Sequence, residues 1–163
     1  MSSALIPEIG NLAWAPLSTA KKVEIFDRYN GVPTLGTIST TRHSHLYWRV
    51  LGYTDDFSLW LYVPLTDEDQ AKLEQDEGVG ILDGIVFRSA QPRYVTVGVA
   101  HSHRLIFERE WIMPENLQQD QIIQPVALFA AEALEIGIRE SLPSSRRHLV
   151  ERAKEAVKDL VSC

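Results

Sequence analysis

The sequence predicts an α+β fold: an antiparallel sheet of five to seven strands, a short helix after the central strand, and two C-terminal helices packed on one face. Three observations carry this. Segments rich in β-branched and aromatic residues fill roughly residues 22–112, whereas residues 122–161 read as helices, and strands first with helices last is the order of an α+β domain. Turn signals separate the strand-like runs. The segment "SLWLYV" (58–63) is apolar at nearly every position instead of alternating, as expected of a strand covered on both faces near the middle of a sheet.

Residues 1–20 hold Pro7, Pro16 and Gly10 with Trp14 as the one large anchor, and read as an extended arm tied to the body by that indole. Residues 21–163 are expected to form a single domain. "VEIFDRY" runs into Asn30-Gly31, a hairpin signal, and a second strand follows over "TLGTIS". "HLYWRVLGY" is the third strand, and Thr54-Asp55-Asp56 the turn after it. Pro64 stops the next strand, and Thr66 with Asp69 three residues later forms a capping box for a helix over 67–76. "GIVFRS", "RYVTVGVA" and "RLIFEREW" are further strands, the last two joined as a hairpin.

From Ile122 the pattern becomes helical, with Gln124, Glu132, Glu135 and Arg139 the main interruptions of an apolar surface. Pro125 suits the first turn and Pro143 marks the end. A second helix follows Ser144 or Ser145, its apolar stripe running through Leu149, Ala153, Ala156 and Leu160. The first of these helices offers more apolar circumference than one small sheet uses, which predicts a homodimer.

The chain has a net charge of −6, which argues against nucleic acid as a direct ligand. Charge is unevenly spread. From Thr54 to Gly84 the acids Asp55, Asp56, Asp67, Glu68, Asp69, Glu74, Asp76, Glu77 and Asp83 face the single base Lys72, so this segment is either a solvated helix, a docking surface for a basic partner or an acidic mimic of nucleic acid. Absence of a long apolar run or a signal-like start predicts a cytoplasmic protein without membrane association, and the lone Cys163 fits a reducing compartment.

The run "YNGVPTLGTIS…YWRVLGYTDDFSLWLYVPLTDED", about residues 25–75, resembles small uncharacterised bacterial domains that begin with a strand and a Gly-Pro turn and close in Leu-Tyr-Val-Pro before an acidic helix. The resemblance implies a bacterial or phage origin. It brings no catalytic or binding residues with it.

Four of the five histidines fall in two His-Ser-His tripeptides, His43–His45 and His101–His103. Alternate residues of a strand share a face, so His43, His45, His101 and His103 would surround a divalent metal such as zinc if the two segments were neighbours. Alternatively, Arg42, Arg49, His101, His103 and Arg104 would hold an anion or nucleotide at one sheet end. The third reading is two ordinary hairpin tips, because an unbroken strand through His101 and His103 would bury both among valines.

No Gly-x-Ser-x-Gly elbow, Gly-rich phosphate loop, Cys-x-x-Cys or His-Glu-x-x-His occurs. The sequence therefore points to a small binding or accessory protein that engages a protein partner through Asp55, Asp56, Trp48 and Trp60. A metal-dependent or phosphate-binding enzyme or sensor is the alternative.

Overall fold

Two turns with left-handed backbone set the pitch of the sheet. Asn30 and Gly31 (φ 50° and 79°) close one hairpin, and Ser102 and His103 (φ 49° and 71°) another. Positive φ at both central residues gives a two-residue loop the twist that neighbouring strands require. Asn-Gly adopts it cheaply, whereas Ser102 and His103 do so against side-chain sterics and are held by neighbours. The Ser102 amide donates to the Asp56 carbonyl at 2.8 Å, and the His103 carbonyl accepts from the Ala13 amide at 2.8 Å.

The computed structural model describes residues 6–52, 56–76, 86–87, 92–115, 117–140 and 142–161. Strands β1 (Lys22–Tyr29), β2 (Val32–Ser39), β3 (Ser44–Gly52), β4 (Phe57–Pro64), β5 (Arg93–His101) and β6 (Arg104–Met113) form one antiparallel sheet in sequence order. Helix α1 (Asp67–Asp76) follows β4, and α2 (Ile123–Arg139) and α3 (Ser144–Val161) follow β6. The expected α+β architecture is the observed one. The capping box is present too: the Asp69 amide donates to Thr66 Oγ1 at 3.1 Å, and the Thr66 amide to Asp69 Oδ2 at 3.0 Å. Asp69 also pairs with Arg93 at the start of β5. The strand expected over "GIVFRS" lies outside the described residues except for Val86 and Phe87, which are buried but belong to no strand.

Strand β4 carries the logic of the fold. Leu59, Leu61 and Val63 point to one face and meet Val95, Val97 and Val99 of β5 and the inner sides of α2 and α3 (Val126, Ala130, Leu134, Val150, Ala153, Val157) in one cluster. Trp60 and Tyr62 point to the other face and join Ile38, Tyr47, Ala100 and Leu105. That second face is closed by the arm. Ala13 is fully buried there, and Trp14, Leu17 and Ala20 pack on the cluster.

The arm has no regular element, yet it is firmly tied. Gly10 donates to the Leu105 carbonyl at 2.8 Å, Leu105 donates to the Asn11 carbonyl at 2.9 Å, and the buried Tyr62 hydroxyl donates to the Ala13 carbonyl at 2.7 Å. Glu8 folds the arm onto itself: its carboxylate accepts from the Ser18 amide, from Ser18 Oγ at 3.0 Å and from Asn11 Nδ2 at 3.1 Å. These donors, the Ser18 amide foremost, lower the Glu8 pKa below its ordinary value.

Candidate functional site

The register of β4 decides how the histidines sit. His45 lies opposite Pro64, and His101 lies opposite Phe57, at the two ends of that strand. Seven residue steps along that strand separate the two positions, about 23 Å. The two His-Ser-His segments therefore do not meet, and a single ion is not shared between them. Among the described residues, no group of three or more His, Cys, Asp or Glu is placed to hold a metal ion. The same geometry divides the expected anion set: Arg42 is at one end of the sheet and His101, His103 and Arg104 at the other.

Nor are both tripeptides hairpin tips. His101–His103 is one: His103 packs on Trp14 with ring centroids 5.4 Å apart, His101 packs on Phe57 at 4.9 Å, and Arg104 Nη1 donates to the Gly10 carbonyl at 2.9 Å. These three side chains hold the arm and the sheet end together. The other segment is split. His43 is in the exposed turn between β2 and β3, but His45 is already inside β3 and only 1% exposed. Strand alternation puts it on the arm-covered face with Tyr47, edge-on to the Tyr62 ring at 6.0 Å. Neither ring nitrogen has a hydrogen-bond partner among the described residues. Burial disfavours the imidazolium and lowers the His45 pKa to about 4, so the ring is neutral at physiological pH.

The expected partner-binding residues also scatter. Trp60 is fully buried, with Nε1 donating to Ser58 Oγ at 2.8 Å, and so is removed from any partner. Trp48 lies on the opposite face, against Phe87 with centroids 5.8 Å apart. Asp55 falls outside the described residues, and Asp56 borders a cleft with α3. Arg49 lies over the Tyr29 ring at 5.4 Å.

The described residues form three surface hollows of note. The first, about 540 Å³, lies between Asp56, Phe57 and the α3 residues His148, Glu151, Arg152 and Glu155. Its charges are mutually engaged: Arg147 pairs with Glu151 at 3.3 Å, and Arg152 lies over Phe57 at 5.6 Å. The second, about 420 Å³, follows the outer edge of β6 from Phe107 to Glu110, between Ile6 and Ile9 of the arm and Glu140, Leu142 and Arg146 of the α2–α3 junction. The third, about 710 Å³, lies between the arm and the β2–β3 turn.

The β6 groove has the more distinctive floor. Strand β6 is the last of the sheet, and the arm's backbone bonds on it stop at Leu105. Beyond that point no strand pairs with its outer edge among the described residues. Burial raises the Glu108 pKa, opposed by Arg109 and Arg146 and reinforced by Glu110. Arg146 Nε is buried without a hydrogen-bond partner. Ile6 and Ile9 are 59% and 39% exposed; Ile112 and its register partner Tyr94, further along the same strands, are 53% and 58% exposed.

No family model matches this chain, and no curated protein or solved structure does either. Sequence reasoning missed both the β6 groove and the hollow at the β2–β3 turn. Each is built partly from the arm, whose residues have no periodicity to say which strands they cross; the only available signal was the apolar content of Ile6, Ile9, Ala13, Trp14 and Leu17.

Proposed function

We propose that the protein is a non-catalytic binding protein that takes an extended segment of a partner protein as an added strand on β6. The observation that supports this reading is the groove itself, whose floor is a strand edge left unpaired among the described residues and whose walls set the apolar Ile6, Ile9 and Leu142 beside Glu140 and Arg146. An exposed edge offers a row of backbone donors and acceptors, and adding a strand satisfies them, while flanking pockets select alternate side chains. Ile6, Ile9 and Leu142 favour apolar residues in the ligand. Glu108 on the floor of the groove favours a lysine or arginine between them. A carbonyl of the added strand would also give the buried Arg146 Nε an acceptor.

The other edge of the sheet is built against such pairing. Strand β1 is interrupted between Ile25 and Arg28 and carries Lys22, Glu24, Asp27 and Arg28, the charges and irregularity that protect an edge. A photo-crosslinking residue at position 110 is therefore expected to trap partner chains that the same residue at position 24 does not. Peptides selected on the protein from a random library are expected to alternate apolar and basic residues and to slow amide exchange over 107–111. If saturating selected peptide leaves those amides exchanging at their free rate, the reading is wrong.

A second copy of the chain is the second reading, favoured by Leu128 and Ile136, which are 47% and 48% exposed one turn either side of Glu132 on α2. A solution mass twice that of the chain, reduced to one by Leu128→Lys with Ile136→Lys, supports it; a monomer mass for the native protein removes it.

A further inference from the structure

The hollow between the arm and the β2–β3 turn is lined by Lys21, Arg42 and His43, by the hydroxyl residues Ser18, Thr19, Thr40 and Thr41, and by Ile6 and Leu17. No acid lines it. That is unusual in a chain of net charge −6. Many cationic side chains elsewhere are engaged: Lys22, Arg93, Arg109, Arg139 and Arg147 in ion pairs, Arg49 and Arg152 on aromatic rings, Arg104 on a backbone carbonyl. Among the described residues, Lys21, Arg42 and His43 have no acidic partner. The nearest acid on the arm, Glu8, is committed to Ser18 and Asn11.

Both walls of the hollow are fixed before any ligand arrives. In the β2–β3 turn, the Thr40 amide donates to the His43 carbonyl at 2.7 Å, and Thr40 Oγ1 accepts from the His43 amide at 3.1 Å and the Arg42 amide at 3.4 Å. The arm is stitched to the same corner by the Lys21 amide, which donates to the Ser39 carbonyl at 2.7 Å. The hydroxyl of Thr40 is thus spent on shaping the turn, while Thr19 and Thr41, both exposed, bring theirs to the lining of the hollow. Two cations carried on a fixed backbone, with neutral hydroxyl donors around an acid-free hollow, match an anion with several acceptor oxygens, and the fixed backbone lowers the entropy lost on binding.

We propose that this hollow binds the phosphate group of a small phosphate monoester. Arg42 and Lys21 hold the charge, His43 and the Thr19 and Thr41 hydroxyls take the remaining oxygens, and Ile6 and Leu17 face the ester's organic portion. At about 710 Å³ the hollow exceeds a bare phosphate and accommodates that portion. The proposal is independent of the β6 groove, with which it shares only Ile6.

The test is titration calorimetry and amide chemical-shift mapping on the full chain with inorganic phosphate, phosphoserine and adenosine monophosphate, each against chloride at equal ionic strength. Binding is expected for the phosphates and not for chloride, with shifts confined to residues 6, 17–21 and 40–43. Tighter binding of a monoester than of inorganic phosphate is expected from the apolar wall, and its relative strength for phosphoserine and adenosine monophosphate identifies the organic portion. Arg42→Ala and Lys21→Ala are each expected to weaken binding about tenfold, and Arg42→Lys to recover part of it. Since both positions are at the rim, the variants are expected to melt as the native protein does. Equal response to phosphate and chloride, shifts elsewhere, inorganic phosphate binding as tightly as both monoesters, or unchanged affinity in Arg42→Ala would each overturn the proposal.

Discussion

Leu61 and Tyr62 are adjacent on β4 and both are buried, yet they belong to two differently made halves of the core. On Leu61's side the sheet meets two regular helices through aliphatic side chains, and stability comes from area removed from water and from close packing. On Tyr62's side it meets an irregular arm through aromatic rings and a few directed hydrogen bonds. Regular elements present repeating apolar faces and need no specific polar contact. An arm without periodicity must satisfy its own backbone against whatever it crosses, which is why tyrosine, with an apolar ring and a polar tip, is used there. Glycine completes the arrangement: a Cβ at Gly98 would stand 2.8 Å from the Tyr62 ring, so only a bare backbone lets that ring lie down.

Substitutions that break one half and not the other sharpen the contrast. Leu61→Ala leaves a cavity under α2 and α3 and is expected to cost about 4 kcal/mol in denaturant unfolding. Acid is expected to act through the arm side. The pKa of His45 is lowered to about 4 in the folded protein against about 6.5 when unfolded, so the unfolded chain takes up the proton first. Its contribution is complete above pH 6.5 and falls away as pH drops toward 4, by about 3 kcal/mol in all. His45→Leu is expected to flatten that part of the pH profile, with little loss at pH 7 because neither ring nitrogen is hydrogen-bonded; an unchanged profile would show that other groups carry the acid sensitivity.

Tyr62→Phe keeps the ring and removes the donor to the Ala13 carbonyl. About 2 kcal/mol is expected from the unsatisfied acceptor, with faster amide exchange in residues 10–15 and none of that acceleration in α2. Smaller still, Thr66→Ala removes one half of the capping box and is expected to cost about 1 kcal/mol, seen as fraying of α1. Lys22→Ala, which breaks an exposed pair with Glu24, is expected to change stability by less than about 0.5 kcal/mol.

The strands, the capping box, the Ser102-His103 hairpin and both C-terminal helices were legible in the sequence because each is a local signal: turn residues, a run of β-branched and aromatic side chains, a helical apolar stripe. The expected meeting of the histidines failed for a reason of topology. A meander places successive turns at alternating ends of its sheet, and β2–β3 and β5–β6 are of opposite parity, so residues 43 and 101 face away from one another whatever their chemistry. His45 was misplaced by one residue of strand boundary: β3 begins at Ser44, and alternation then turns that imidazole inward. Trp60 does not serve as a partner-binding residue because its strand is covered on both faces, as the unbroken apolar run implies; what the strand does not reveal is which segment supplies the second cover. The cover comes from residues 6–20, whose docking position depends on bonds to partners such as Tyr62 and Arg104, 49 and 94 residues further along.

Those long separations also govern how the molecule is made. Synthesis runs from the arm toward β6, so the segment that seals the aromatic face leaves the ribosome well before the strands that receive it. Its bonds to His103, Arg104 and Leu105 form only when the last hairpin has closed, and contacts so distant in sequence are slow to form. Until the arm docks, a newborn sheet has Tyr47, Trp60 and Tyr62 bare to water, so the aromatic face is the aggregation-exposed side of the young chain.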